Sequence, residues 1–216
     1  MKIPPHEPVG VGATGPGLGS DPRGSGKDNR LPRPLREQVE GGVYHLVSRG
    51  VRKLPLFHDD RDRERFLWLL AVTADRYRWQ IHAYCLMTNH FHLLVTTKDP
   101  NVSAGMQYLN GRYCAWFNWR HDYEGHVVER RFFSVLMKTD AQLLRTARYI
   151  VLNPVRAGLC RTAADWPWSS YRAMVAKIAG VPRLSRWLLS LFHRELAQAR
   201  ERFAEFIRAG EPDAVG

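Results

Sequence analysis

The feature that most constrains the fold is a pair of apolar, β-rich runs set almost end to end. Trp79 to Leu86 and Phe91 to Val95 are separated by a short polar break at Thr88-Asn89. Extended runs rich in β-branched and aromatic residues on both sides of so short a turn predict an antiparallel hairpin. A further strand-like run, Val43 to Ser48, turns at Arg49-Gly50. Helical signals fill the gaps. Asp59 or Asp60 caps a helix with Phe66, Leu67, Leu70 and Tyr77 at helical spacing, and Ser103 caps a second through about His121. Residues 125–137 read as extended. Thr139 opens a third helix that should end at Asn153-Pro154, because proline disfavours helix at the residue before it. The order strand, helix, hairpin, helix, strand, helix predicts an α+β domain over 37–175, a mainly antiparallel sheet covered by helices. From Leu184 to about Ala209 the pattern is amphipathic, which predicts a helical C-terminal extension (176–216), broken once or twice.

Residues 1–36 are low in apolar content and crowded with Gly and Pro, from Pro4-Pro5 to Pro34, so they are expected to form a disordered tail whose basic end could reach a nucleic-acid backbone. The remainder can build a core, since 44% of the chain is hydrophobic and 11% aromatic. The formal charge of +11 makes nucleic acid the first partner to consider and an anionic membrane the second. No run approaches 18 apolar residues, which argues against a membrane span. Cys85, Cys114 and Cys160 are scattered and odd in number, fitting neither a disulfide framework nor a CxxC zinc pattern, and so a reducing, cytoplasmic setting.

The sharpest chemical signal is His90-Phe91-His92 at the start of a strand. Side chains alternate across a strand, so the two imidazoles share one face and can hold a divalent cation without losing a proton first. Structural or surface histidines are the competing explanation. A third ligand is not fixed by spacing: His45 on the first strand, His82 on the partner strand and Asn118 on the second helix are the options. Tyr113 shares a helix stripe with Met106, Leu109 and Phe117. That spacing suits a core aromatic. It also suits a nucleophile at the rim of the stripe, with a metal and Arg112 stabilising charge on a phosphate. Tyr108 and Tyr123 are the fallback nucleophiles. Cations interleaved with aromatics suit unpaired strands; Arg49, Arg112, Arg120, Arg130 and Arg131 are the candidate DNA contacts, whereas Trp166 and Trp168 read as core.

Seven segments in order, YHLVSRG at 44–50, YCLMTNHFHLLV at 84–95, RYCAWFN at 112–118, GH at 125–126, RFFS at 131–134, YIVLNPVRAGL at 149–159 and WPWSSY at 166–171, resemble the REP-associated tyrosine transposases, a branch of the single-tyrosine HUH superfamily. The resemblance runs from about Pro34 to Gly210. It implies a ferredoxin-like HUH fold with His90 and His92 as metal ligands, Tyr113 as nucleophile and Mg²⁺ or Mn²⁺ as cofactor. It also implies single-stranded or hairpin DNA, typically palindromic repeats, as substrate, cut through a 5′-phosphotyrosine and rejoined by reversal. A bacterial, cytoplasmic, nucleoid-associated protein, monomer or homodimer, goes with it. A non-catalytic single-stranded DNA-binding regulator is the alternative. The chain departs from the pattern after Gly125-His126, where Val128-Glu129-Arg130 stands in place of an aromatic and Gln-Gly, in a region where the substrate could differ.

Overall fold

The computed structural model describes residues 37–129, 131–176 and 182–211; the expected tail at 1–36 lies outside them. Four strands form one antiparallel sheet: β1 (Gly42–Arg49), β2 (Trp79–Leu86), β3 (His90–Thr97) and β4 (Phe133–Leu136), in the order β2-β3-β1-β4. The hairpin forms where the sequence predicts it, closed by Met87 N–H donating to the His90 carbonyl at 2.9 Å. The extended stretch at 125–137 contributes only the four residues of β4 to the sheet.

Each face of the sheet carries its own core, because alternate side chains point to opposite sides. Tyr44, Leu46, Phe91, Leu93 and Val95 pack under helices α1 (Asp60–Tyr77) and α2 (Val102–His121), together with Phe66, Leu70, Met106, Leu109 and Tyr113. On the other face Ala83, Cys85 and Leu94 pack against Leu143, Ala147, Ile150 and Val151 of α3 (Asp140–Arg156). A register shift between Ile81 and Ala83 in β2 moves side chains between the two cores, the usual effect of one extra residue in a strand.

The caps follow local chemistry. Asp59 accepts the Asp62 N–H at 3.1 Å and Thr139 accepts that of Gln142 at 3.2 Å, each satisfying an amide that the helix start leaves without a partner. Two expectations are corrected. Helix α2 begins at Val102 behind Asn101, and the Ser103 N–H is taken by Gln38 Oε1 rather than Ser103 acting as a cap. Helix α3 does not stop at Asn153. It runs through Pro154 to Arg156, with the Ala157 N–H reaching the Asn153 carbonyl. Pro154 and Val155 are buried, and that packing holds the last turn despite the amide that proline lacks. Asn153 therefore sits inside a helix, one turn beyond Tyr149.

The C-terminal part packs on the α3 face through α4 (Tyr171–Val175), α5 (Trp187–Ser190) and α6 (Leu196–Arg208), with Leu188, Phe203 and Ile207 fully buried. Among the described residues no helix is long and apolar enough to cross a membrane.

Candidate active site

In the β1–β3 register Arg49 stands opposite His90 and Val47 opposite His92, while His45 lies across from Leu94. Directly paired residues share a face, and residues two apart on a strand share it too. His45, Arg49, His90 and His92 therefore all point toward the α3 side, and Phe91 points away into the α1–α2 core. The His90 and His92 rings sit 4.9 Å apart, nearly perpendicular.

The second ring nitrogens are assigned partners in an ordered way. His92 Nδ1 lies 3.0 Å from His45 Nε2, with the two rings stacked, while His90 Nδ1 pairs with Asn89 Oδ1 at 2.8 Å. His92 Nε2 is buried and has no hydrogen-bond partner among the described residues. A buried polar atom without a partner is costly, unless its lone pair faces a cation. Burial depresses the basicity of the whole group. It lowers His45 to about 4 and is the first cause of the fall of His92 to about 2, which His45, His90 and Arg49 then deepen. His90 is lowered as well, by burial and then by Arg49, partly opposed by a hydrogen bond with the Asn153 side chain. At neutral pH these are neutral imidazoles, the form that binds metals.

Helix α3 supplies the remaining groups. The Tyr149 ring lies edge-on to His92 at 5.5 Å and to His45 at 6.2 Å, and the residue is 39% exposed. Asn153 follows one turn later, beside His90, and the Arg156 guanidinium lies over the Tyr149 ring at 5.6 Å. Spacings of four and seven residues put all three on one helical stripe. Three imidazoles, an amide, a partly exposed phenol and two guanidinium groups (Arg49 and Arg156) thus gather on one face. Phe133 of β4 pairs with Val47, which also pairs with His92, so this 59% exposed aromatic lies on the same face, two strands from His92 and next to the strand of His45 and Arg49.

Tyr113, the nucleophile expected from the sequence, is corrected. It lies on α2, on the opposite face of the sheet, 1% exposed, packed against Phe57 and Phe66, and its hydroxyl donates to the Leu56 carbonyl at 2.5 Å. Burial, followed by Asp62 and Cys114, pushes its phenol far above the ordinary range, so its ionised form is strongly disfavoured there. Asn118 is corrected for the same reason: it is on α2, with Nδ2 donating to the Gly125 carbonyl. His45 reaches the expected face, with its Nε2 3.0 Å from His92 Nδ1. His82 is buried on β2, bonded to Thr96 Oγ1. Tyr108 and Tyr123 both belong to the α2 region, Tyr108 tilted against Tyr77 and Tyr123 edge-on to Phe117.

Of the candidate DNA contacts, Arg49 is beside the histidines. Arg112 lies over Tyr108 on α2, and Arg120 is held by Asp59 and Asp62. Arg131 is exposed two residues before β4, and Arg130 lies outside the described residues. Trp166 and Trp168 pack on the two cores as expected, Trp166 donating to the Leu86 carbonyl. What sequence reasoning missed is the polar stripe Tyr149, Asn153, Arg156 on the amphipathic helix α3. Its regular spacing was the available signal.

The model of the family described as IS200-like transposases matches residues 38–153, a span that holds His45, Arg49, His90, His92, Phe133, Tyr149 and Asn153. A REP-associated tyrosine transposase of Haemophilus influenzae is 32% identical over 147 residues, covering 63% of this chain and 83% of that protein. Among solved structures, a REP-associated tyrosine transposase bound to a REP hairpin shares the fold, with a TM-score of 0.58 and 18% identity. That match covers 72% of this chain and 96% of the other.

Proposed function

The chain belongs to the IS200-like transposases, as one of the REP-associated tyrosine transposases, and from that premise we propose that it cuts and rejoins single-stranded or hairpin DNA with Tyr149 as the nucleophile. The observation that carries this reading is the placement of a partly exposed phenol 5.5 Å from the ring of His92, on the face where His90 and Asn153 also meet. The related protein solved with a REP hairpin supports a structured single strand as substrate.

In the first step the Tyr149 oxygen bonds to phosphorus as the bond to the neighbouring 3′ oxygen breaks. The phenol gives up its proton and the 3′ oxygen gains one, leaving a 5′-phosphotyrosine and a free 3′-hydroxyl. The number of phosphoester bonds is unchanged, so attack by a 3′-hydroxyl reverses the step and rejoins strands. Arg156 over the Tyr149 ring and Arg49 beside His90 would hold the phosphates on either side of the scissile one, fixing it for attack.

His90, His92 and the Asn153 side-chain oxygen would hold a divalent cation, and the partnerless buried Nε2 of His92 fits that role. Two imidazoles and an amide oxygen suit Mn²⁺ somewhat better than Mg²⁺, which is the more abundant. When bound, the cation supplies charge stabilisation at the scissile phosphate. His45 holds the His92 ring in its orientation through Nδ1.

The test is a nicking assay on a labelled hairpin oligonucleotide with Mn²⁺. Wild type and Tyr113→Phe should give a covalent protein–DNA adduct, and Tyr149→Phe should give none. Cleavage that survives Tyr149→Phe would mean a hydrolytic nuclease; hairpin binding with no cleavage by any of the three proteins would mean a non-catalytic DNA-binding regulator.

A further inference from the structure

We propose that His58, Asp62 and His121 form a second metal site, for Zn²⁺ or a cation of similar chemistry, on the sheet face opposite the His90–His92 pair. Its role would be to brace the turn that carries His90. One ligand atom from each of these side chains lies within 4.8 Å of the others, and among the described residues no other trio of His, Cys, Asp and Glu side chains is so grouped. Two imidazoles and one carboxylate are a common protein donor set for zinc, and about 2.0–2.2 Å bonds from each would draw these atoms together by small ring rotations.

The surroundings suit a structural site. Asp62 is fully buried in the first turn of α1, and one of its oxygens accepts the His58 backbone N–H at 2.7 Å. His121 Nε2 straddles the carboxylate, 2.9 and 3.1 Å from its two oxygens. The His58 and His121 rings are 4.6 Å apart, and Phe117 packs on both at 5.0 and 4.4 Å, forming an apolar wall behind the ligands. Arg120 also touches Asp62, which raises the question of competition. Its guanidinium is already clasped by both oxygens of Asp59, at 2.7 and 2.6 Å, so Asp62 can turn to a cation without stranding Arg120.

The site is mechanically tied to the catalytic face. The segment just before His58 bonds to the β2–β3 turn: the Leu56 and Phe57 N–H groups both donate to the Thr88 carbonyl, at 2.9 and 3.3 Å. Gly50 N–H donates to the Asn89 carbonyl at 2.8 Å, and Asn89 Nδ2 reaches the Lys53 carbonyl. A Cβ at Gly50 would stand 2.0 Å from the Leu54 carbonyl oxygen, so this loop closes on itself only with glycine there. Asn89 Oδ1 then holds His90 Nδ1. A cation clamping His58 to the end of α2 would stiffen the loop on which Thr88 and Asn89 rest, and with it the position of His90.

The experiment uses full-length protein and Zn²⁺ as the probe, by calorimetric titration, with Co²⁺ visible absorption reporting coordination by imidazole and carboxylate. The H90A/H92A variant removes the other histidine pair, so metal binding here is measured whatever the outcome for Tyr149. H90A/H92A should still bind one Zn²⁺ per chain and melt at a higher temperature with it. Adding H58A, at an exposed position, should weaken that binding at least tenfold and abolish the thermal shift. Should H90A/H92A fail to fold, wild type should bind two equivalents and H58A one. Absence of saturable Zn²⁺ binding in folded H90A/H92A, or binding indifferent to both H58A and H121A, overturns the proposal and leaves the trio as a hydrogen-bonded helix cap.

Discussion

The Tyr149 ring meets His92 edge-on, whereas Tyr113 donates its hydroxyl to the Leu56 carbonyl on the far side of the same sheet. The two tyrosines thus lie on opposite faces of the sheet, one beside the histidines and one in the α1–α2 core. Tyr113→Phe leaves one buried carbonyl without its partner, and the loss of such a bond is expected to cost about 1 kcal/mol. Chemical denaturation should show that decrease with an unchanged m-value, while adduct formation on a hairpin oligonucleotide persists. A Tyr113→Phe protein that folds normally but forms no adduct would return the nucleophile to α2.

His45 is half-buried, and its Nε2 holds His92 through Nδ1 at 3.0 Å. Outer partners of ligating histidines typically govern metal affinity by about 10–100-fold. His45→Ala should therefore raise the Mn²⁺ concentration needed for half-maximal cleavage by about that factor, with hairpin affinity in the absence of metal unchanged. An unaltered Mn²⁺ dependence would remove His45 from the metal site's support.

The hairpin, the His-x-His face and the Asp59 and Thr139 caps were legible in the sequence because each is set by neighbours within a few residues. Which face of the sheet a helix covers is not. Tyr113 and Tyr149 both lie on amphipathic helices, and nothing in local spacing tells that α2 joins Phe91 while α3 joins His92. That follows from the path of the chain around the sheet. Pro154 misled in a second way, since it suggested a helix end just where buried Pro154 and Val155 carry α3 on and leave Asn153 in register with Tyr149. The His58–Asp62–His121 group was invisible because His121 is 59 residues away from Asp62 in the chain.

Phe133 and Arg49 border the site in different chemical ways. Phe133, 59% exposed on β4, offers a face on which a base can stack, while Arg49 offers charge. Stacking of one base on an aromatic contributes about 1–3 kcal/mol and is nearly salt-independent. A phosphate contact instead sets the salt slope. Phe133→Ala should weaken single-strand affinity about 5- to 100-fold at every salt concentration. Arg49→Ala should lower the slope of log K against log salt by about 1. Filter-binding titrations across a salt series distinguish the two; equal effects on slope would contradict the assignment.

His82 gives the fold a specific acid weakness, remote from the proposed chemistry. It is fully buried, with Nε2 bonded to Thr96 Oγ1, Nδ1 without a partner among the described residues, and the Trp187 ring 4.9 Å away. Burial lowers it from 6.5 to about 4. The unfolded chain therefore takes up the proton first as pH falls. The contribution of His82 to stability is present above about pH 6.5 and is lost progressively as pH drops toward 4, because more protons bind to the unfolded state over that window. A gap of that size corresponds to up to about 3 kcal/mol. His82→Gln keeps a donor for Thr96 but does not titrate, so its urea midpoint should fall less steeply than that of wild type between pH 6.5 and 4, both measured without added metal. Parallel pH profiles for the two proteins would show that the buried ring is not what makes the fold acid-sensitive.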